Sequence, residues 1–195
     1  MFAECLKNVR EKKPLIHNIT NYVTVNDVAN ILLACGGSPI MADDPMEVEE
    51  ITSICQGLNI NIGTLQQHTV ESMFLAGKRA KELGHVVLFD PVGAGASHFR
   101  TQTALKLMSE IPFDVIRGNM SEMKTLANGS GCTRGVDASV SDRVTEQNLG
   151  EAVSFVKEFA KKTGSIIAVT GAIDLVADDR KCYVIINGRT EMGSI

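Results

Sequence analysis

The sequence has 195 residues, 44% of them apolar, which is enough to bury a sizeable core in one domain. Its net charge of −4 argues against binding to nucleic acid or to an anionic membrane surface, and no apolar run reaches the ~18 residues that a membrane span needs. The five cysteines are odd in number and include no Cys-x-x-Cys pair, so neither a disulfide framework nor a zinc site is expected. We therefore expect a protein of the reducing cytoplasm, without a membrane segment.

Short apolar runs alternate along the chain with segments of helical period. In chain order we predict helix 1–12, strand 14–18, helix 21–37, strand 38–42, helix 43–55, strand 58–63, helix 66–84, strand 85–90, helix 100–111, strand 113–119, helix 120–128, helix 146–164 and strand 165–170. The Gly36–Gly37 pair predicts the end of the second helix. Asp44, Pro45 and Glu47 fit the N-cap, N1 and N3 positions of the third helix. Residues 129–142 are predicted to form a polar, glycine-rich loop.

After the last of these strands the pattern changes. Short strand-like runs separated by Asp-Asp and Asn-Gly turns predict an antiparallel meander over residues 174–179, 181–188 and 189–193. The earlier alternation of strands and helices predicts an α/β fold, and nearly continuous apolar strands are typical of parallel strands covered on both faces. We therefore predict a mostly parallel sheet flanked by helices, with the antiparallel meander at one edge.

In open α/β sheets, ligands bind beyond the carboxyl ends of the strands. The residues at this edge of the predicted sheet are His17, Asn18, Asn21, Met41, Asp43, Asn61, Gly63, Asp90–Gly95, Arg117, Asn119, Thr170 and Gly171. Carboxylates, a guanidinium group, a hydroxyl and glycines at one edge would suit a phosphorylated ligand with a metal ion. Loops from strand to helix are polar in any case, and this ordinary explanation accounts for the pattern equally well.

No common nucleotide motif decides between these explanations, because the sequence contains neither a P-loop nor a complete Gly-x-Gly-x-x-Gly fingerprint. Asp90 fits a turn as well as a phosphate or metal site. The spacing of Asn119 and Glu122 favours a capping box on the following helix. His17 is equally compatible with a structural and a functional role, and a charge such as Arg117 is ordinary at the end of a strand.

Six segments together carry a resemblance that changes this balance. PLIHNITNYV, SPIMA, NINIGTL, DPVGAGA, RGNMSE and AVTG occur in an order that resembles the hydroxyethylthiazole kinase family, over residues 14–195. The resemblance implies a ribokinase-like fold and transfer of the γ-phosphoryl group of ATP to the primary alcohol of 4-methyl-5-(2-hydroxyethyl)thiazole in thiamine salvage. It also implies a cytoplasmic homotrimer with the thiazole site at the subunit boundary.

The resemblance also assigns roles to residues of this sequence. It implies that Asp90 and Glu122 organise Mg²⁺ and its waters, and that Gly93 and Gly95 let the backbone pass close to the phosphates. The implied ATP contacts are Arg117, Thr170, Asn119 and Gly171. The implied thiazole contacts are Met41, Asn21 and Val23.

The sequence departs from the family pattern at its end. In the family, a Gly-Thr-Gly-Cys segment with the anion hole and the catalytic cysteine follows a stretch like MGSI, and this sequence ends at EMGSI. Over residues 1–195 we therefore expect a single ribokinase-like domain that lacks its C-terminal part, is inactive alone and tends to aggregate. The alternatives are another small-alcohol kinase of this fold, such as a hydroxymethylpyrimidine kinase, and a non-catalytic fragment that binds nucleotide or subunits. The HNITN and PIMA segments favour the thiazole kinase.

Overall fold

The structure, a computed structural model, describes residues 2–129 and 142–187. The helices are α1 Phe2–Lys12, α2 Val25–Cys35, α3 Val48–Ile54, α4 Gln67–Glu82, α5 His98–Glu110, α6 Met120–Asn128 and α7 Leu149–Thr163. The strands are β1 Leu15–Ile19, β2 Ser38–Met41, β3 Gly57–Asn61, β4 Val86–Asp90, β5 Val115–Gly118, β6 Ile166–Val169, β7 Asp174–Ala177 and β8 Cys182–Ile185. This order confirms the predicted alternation of strands and helices.

The chain packs into two compact units. The first runs to Asp90 and includes Lys106–Ile111, and the second comprises Pro91–Leu105 and the described residues from Pro112 onward. In the first unit the strands lie in the order β2-β1-β3-β4 and pair in parallel. In the second the order is β5-β6-β7-β8, with β5 and β6 parallel and β6, β7 and β8 antiparallel. The mostly parallel α/β class and the meander are therefore confirmed, whereas the single domain over residues 1–195 stays a prediction.

The core of each unit lies where apolar strands meet one long helix. In the first unit, Ile60 and Phe89 are paired in register on β3 and β4 and are completely buried. Helix α4 packs on these strands and buries Met73. In the second unit, α7 packs on β6 and β7 and buries Val156 and Phe159. Removing a side chain of this size from water stabilises the fold by roughly 1.5–3 kcal/mol, so the apolar strand sequences determine which elements meet.

The two largest errors in the predicted helix starts are four and five residues. Helix α2 begins at Val25 rather than at residue 21, and α3 begins at Val48 rather than at residue 43. Asn21 Oδ1 accepts backbone N–H groups two and three residues further on, and Asp44 Oδ1 accepts the Met46 N–H at 2.8 Å. Both side chains therefore form a turn before the helix, and Asp44 is not the N-cap of α3.

The turn between β7 and β8 depends on one aspartate. Asp178 Oδ1 accepts the backbone N–H of Lys181 at 2.6 Å and that of Arg180 at 2.7 Å. These two bonds, with the bond from Lys181 as the larger cause, hold the pKa of Asp178 below its ordinary value. Of the predicted elements, strand 189–193 and most of the loop at 129–142 lie outside the described residues.

Within residues 2–129 and 142–187, the helices are too short or too polar to cross a membrane.

Candidate active site

The carboxyl ends of the strands in the first unit carry several buried polar side chains. We call this surface the first-unit edge; it consists of His17, Asn18, Asn21, Met41, Asn61 and Asp90. Asn21 is only 8% exposed, and its Nδ2 donates to Asn61 Oδ1 at 3.0 Å. Asn21 Oδ1 accepts the N–H groups of Val23 and Thr24 at 3.1 Å. These bonds tie the turn after β1 to the end of β3.

The three residues predicted to contact the thiazole all follow or end strands of this edge. Met41 is the last residue of β2, pairs with Asn18 on β1 and is half-buried. Asn21 lies in the turn between β1 and α2, two residues before Val23. The Val23 side chain is 87% exposed in this chain. The structure therefore brings Met41 and Asn21 to one edge and leaves Val23 in solvent.

His17 is completely buried in β1 and makes two internal hydrogen bonds. Its Nε2 lies 2.8 Å from the carbonyl oxygen of Ala42, and its Nδ1 lies 2.9 Å from Thr52 Oγ1. Burial lowers the pKa of His17, an effect that the hydrogen bond to Ala42 partly opposes. The ring is therefore neutral near pH 7 and links β1 to the end of β2 and to α3.

Asp90 ends β4 and is paired in register with Asn61 on β3. It is only 8% exposed, and its backbone carbonyl accepts the Ile62 N–H at 3.2 Å. A buried carboxylate requires compensating polar or cationic groups. An aspartate that serves only a surface turn is normally exposed, so the burial of Asp90 favours the metal hypothesis for this residue.

The second unit presents its own row of polar groups. We call it the second-unit edge; it consists of Gly93, Gly95, Arg117, Asn119, Glu122, Thr170 and Gly171. In the loop after β4, Gly93 has a φ of +75° and donates its N–H to Glu122 Oε1 at 2.8 Å. The Gly95 N–H donates to Thr101 Oγ1 at 2.9 Å. Because side chains on two helices hold its amides, this glycine loop is fixed before any ligand binds.

Glu122 is the centre of this arrangement. It is 7% exposed, and its second oxygen, Oε2, accepts the Asn119 N–H at 2.8 Å. Asn119 Oδ1 accepts the Glu122 N–H at 2.9 Å, which confirms the capping box that the spacing predicted. A Cβ on Gly118 would lie 2.6 Å from Met123 Cε and 2.7 Å from Glu122 Oε2, so glycine leaves room there for both side chains. One side chain thus caps α6 and holds the glycine loop.

Three of the four predicted ATP contacts line one cavity of about 200 Å³. Its described lining is Asn119, Met120, Asp142, Arg143, Val144, Thr170, Gly171 and Ala172. The Thr170 N–H donates to the Gly118 carbonyl at 2.9 Å, which extends the pairing of β5 and β6 beyond the strands. Arg117, the fourth predicted contact, is exposed on β5 and is not part of the described lining.

A second cavity of about 240 Å³ lies between α6 and α7 and shares three lining residues with the first. Its polar wall includes Lys124, whose Nζ lies 2.7 Å from Asp142 Oδ1. Phe155 on α7 contributes an apolar wall. The ion pair fixes the start of the described segment 142–148 against α6.

No three potential metal-ligating side chains cluster within the part of the chain that the structure describes. Mg²⁺ does not need such a cluster, because it usually keeps several waters and binds through one or two carboxylates and the phosphates of its substrate. Carboxylate oxygens, such as those of Asp90 and Glu122, are the ligands that this hard cation prefers. The chemistry of these donors therefore fits Mg²⁺.

Three residues of the second unit were missed from the sequence. Gly118 leaves room for Glu122, Thr101 holds the Gly95 amide, and Arg143 lines the cavity with the predicted ATP contacts. Gly118 directly precedes the Asn-x-x-Glu pattern, so its position was a usable signal. Thr101 and Arg143 lie in segments whose local pattern carries no comparable signal.

Comparisons with known proteins agree with this geometry. The family model of the hydroxyethylthiazole kinase family matches residues 6–195. The hydroxyethylthiazole kinase of Clostridium acetobutylicum is 63% identical over 195 residues, which are 100% of this chain and 71% of that protein. The solved structure of the hydroxyethylthiazole kinase protein from Pyrococcus horikoshii OT3 is 39% identical, with a TM-score of 0.85 over 98% of this chain and 68% of that one.

A more distant structure shows the fold alone. The pyridoxal kinase from Staphylococcus aureus in complex with pyridoxal is 14% identical, with a TM-score of 0.56 over 88% of this chain and 71% of that one. The match over residues 6–195 and the identity of 63% decide the family. The buried Glu122, which holds the Gly93 and Asn119 amides, and the cavity lined by Thr170 are consistent with it. The chain belongs to the hydroxyethylthiazole kinase family, a ribokinase-like family of kinases that use ATP as co-substrate.

Proposed function

We propose that this protein transfers the γ-phosphoryl group of ATP to the primary alcohol of 4-methyl-5-(2-hydroxyethyl)thiazole, a step of thiamine salvage. The observation that carries the proposal is the second-unit edge. Asn119, Thr170 and Gly171 line one cavity there, next to the N-terminus of α6. The names of the relatives and the HNITN and PIMA segments support the thiazole alcohol as acceptor.

The second-unit edge is suited to the phosphates of ATP. The capping box of Asn119 and Glu122 already occupies the start of α6, so we propose that phosphate binding here depends on side-chain donors. The hydroxyl of Thr170 and the guanidinium group of Arg117 are donors for phosphate oxygens. Gly93 and Gly95 are proposed to let the main chain of this loop lie close to the phosphates, because glycine carries no Cβ.

The family resemblance assigns Asp90 of the first unit and Glu122 of the second to Mg²⁺ and its waters, and we propose this role for each of the two carboxylates. Glu122 Oε1 accepts the Gly93 N–H and Oε2 accepts the Asn119 N–H, and a carboxylate oxygen can accept more than one hydrogen bond. When bound with ATP, the ion neutralises charge on the phosphoryl group in transfer. The carboxylates of this chain orient the ion, and the fixed glycine loop keeps the phosphates in place.

The alcohol is proposed to bind at the first-unit edge, with Met41, Asn21 and Val23 as contacts. The polarizable sulfur of Met41 suits a heteroaromatic ring. Val23 is 87% exposed, and Ile31 and Leu33 on α2 are exposed as well. Large apolar side chains that are exposed in one chain can mark a surface that another chain covers. They support the proposal of a homotrimer in which a second copy covers Val23 and completes the thiazole site.

The protein is proposed to act in the cytoplasm. Among the described cysteines, Cys5, Cys35, Cys55 and Cys182 are free thiols, as expected in a reducing compartment. Burial raises the pKa of the Cys55 thiol, which keeps it protonated and unreactive.

The acceptor is tested by comparing two alcohols. The polypeptide made from the native gene is mixed with ATP and Mg²⁺ and either the thiazole alcohol or the hydroxymethylpyrimidine, and ADP release is followed. We expect ADP release that depends on the thiazole alcohol. Faster ADP release with the pyrimidine alcohol would indicate a hydroxymethylpyrimidine kinase instead. ADP release that does not depend on either alcohol would contradict the proposal.

A further inference from the structure

The segment that carries Met41 is held by hydrogen bonds from elsewhere in the first unit. His17 Nε2 lies 2.8 Å from the Ala42 carbonyl oxygen, directly after Met41. Ser72 Oγ on α4 donates to the Asp43 carbonyl at 2.6 Å. The main chain on the C-terminal side of Met41 is therefore fixed at two successive carbonyls.

The two partners of His17 determine which nitrogen carries its proton. The Ala42 carbonyl only accepts hydrogen bonds, so Nε2 must be the donor. In a neutral ring Nδ1 is then an acceptor, and the Thr52 hydroxyl at 2.9 Å donates to it. Thr52 on α3 is as completely buried as His17, so water does not replace either partner. The Ala42 carbonyl thus sets the tautomer, and the hydrogen bond from Thr52 satisfies Nδ1 and holds the ring in the orientation that reaches Ala42.

We infer that the Thr52–His17 pair is a positioning device that sets the place of Met41 for the alcohol substrate. The inference rests on the proposed function, in which Met41 contacts the thiazole. Met41 lies on β2 and is paired only through β1 within the first unit, where the strand order begins with β2. The position of a ligand-contacting residue at the edge of a sheet is better defined when hydrogen bonds hold the neighbouring residue in place. The hydrogen bond from His17 to the Ala42 carbonyl holds the main chain in this way, one residue after Met41.

Two variants of Thr52 separate positioning from packing. Thr52→Val keeps the shape of the side chain and removes the hydroxyl, whereas Thr52→Ser keeps the hydroxyl and removes the methyl group. The thiazole alcohol is titrated calorimetrically into the protein without ATP. We expect Thr52→Val to weaken binding about fivefold, the effect of one ordinary hydrogen bond, and Thr52→Ser to bind like the parent protein. If Thr52 acted only through packing, Thr52→Ser would be the weaker binder.

ATP binding and one further variant serve as controls. Neither Thr52 variant should change the affinity for ATP. Thr69→Val removes another buried threonine hydroxyl of the first unit, one that bonds to the backbone of Gln66, and it should leave thiazole affinity unchanged. The imidazole ¹⁵N spectrum should show His17 protonated at Nε2 in the parent protein, with this signal altered in Thr52→Val.

Met41→Lys distinguishes failure of the inference from failure of the proposed function. If Met41→Lys weakens thiazole binding and Thr52→Val does not, the positioning role is overturned and the proposed site stands. If Met41→Lys leaves thiazole binding unchanged, Met41 is not a contact, and both the proposed site and the inference are overturned.

Discussion

Replacing Glu122 by glutamine tests whether one carboxylate holds both the glycine loop and the start of α6. In the parent protein, Glu122 Oε1 accepts the Gly93 N–H and Oε2 accepts the Asn119 N–H, each at 2.8 Å. Glutamine keeps one acceptor and places an NH₂ group against the other N–H. One charge-assisted bond is therefore lost, the other becomes a neutral bond, and a buried N–H loses its partner.

The magnitude follows from these changes. A hydrogen bond to a charged group contributes about 1.5–3 kcal/mol, a neutral one about 1 kcal/mol, and a buried donor left without a partner costs about 1–3 kcal/mol. We expect Glu122→Gln to lower the free energy of unfolding by about 3 kcal/mol, a large part of the 5–15 kcal/mol typical of a folded protein. With a urea m-value near 2 kcal/mol per M, the midpoint would fall by about 1.5 M.

The assay is urea unfolding without ATP or Mg²⁺, followed by circular dichroism because the chain has no tryptophan. Glu158→Gln, an exposed glutamate of α7, is the matched control and should unfold like the parent protein. Hydrogen exchange gives a local measurement, because the amides of Gly93 and Asn119 should exchange faster in Glu122→Gln. An unchanged urea midpoint together with unchanged exchange at both amides would refute the claim that Glu122 holds the glycine loop and the start of α6.

Two further predictions concern packing and pH. Gly118→Ala places a Cβ 2.6 Å from Met123 Cε and 2.7 Å from Glu122 Oε2, and it should lower the free energy of unfolding by about 1–3 kcal/mol in urea. Gly150→Ala, with nothing within 4 Å, should raise it by up to about 1 kcal/mol, and equal effects of the two changes would contradict the close approach at Gly118. Burial lowers the folded-state pKa of His17, so the contribution of this residue to stability is complete above its unfolded value near 6.5 and falls as the pH drops below it. Unfolding at several pH values should show this loss of stability in the parent protein and in the control His68→Gln, which changes an exposed histidine, but not in His17→Gln. An identical loss in all three proteins would exclude His17 as its cause.

Local sequence patterns predicted those parts of the molecule that depend on neighbouring residues. The capping box of Asn119 and Glu122 is set by a spacing of three residues and was found where expected. The predicted helix starts were wrong where a side chain could either cap the helix or bond within a turn before it. Asn21 and Asp44 both suit an N-cap, but each bonds to backbone N–H groups within a preceding turn, and so α2 and α3 begin later.

The features of the site that the sequence did not predict depend on contacts between residues far apart in the chain. Glu122 reaches Gly93, which lies 29 residues earlier, and His17 reaches Thr52, which lies 35 residues later. No periodicity or turn rule pairs such residues, because the pairing follows from strand order and helix packing. The family resemblance named Glu122 for its role toward Mg²⁺ and gave no indication that both of its oxygens hold backbone amides.

The most direct test of the account is to observe where the phosphoryl group goes. Phosphorus NMR of the native polypeptide with ATP, Mg²⁺ and the thiazole alcohol should show the γ-phosphate signal of ATP replaced by that of a phosphate monoester on the thiazole side chain. Release of free inorganic phosphate without any phosphorylated thiazole would contradict the assignment of the alcohol as acceptor.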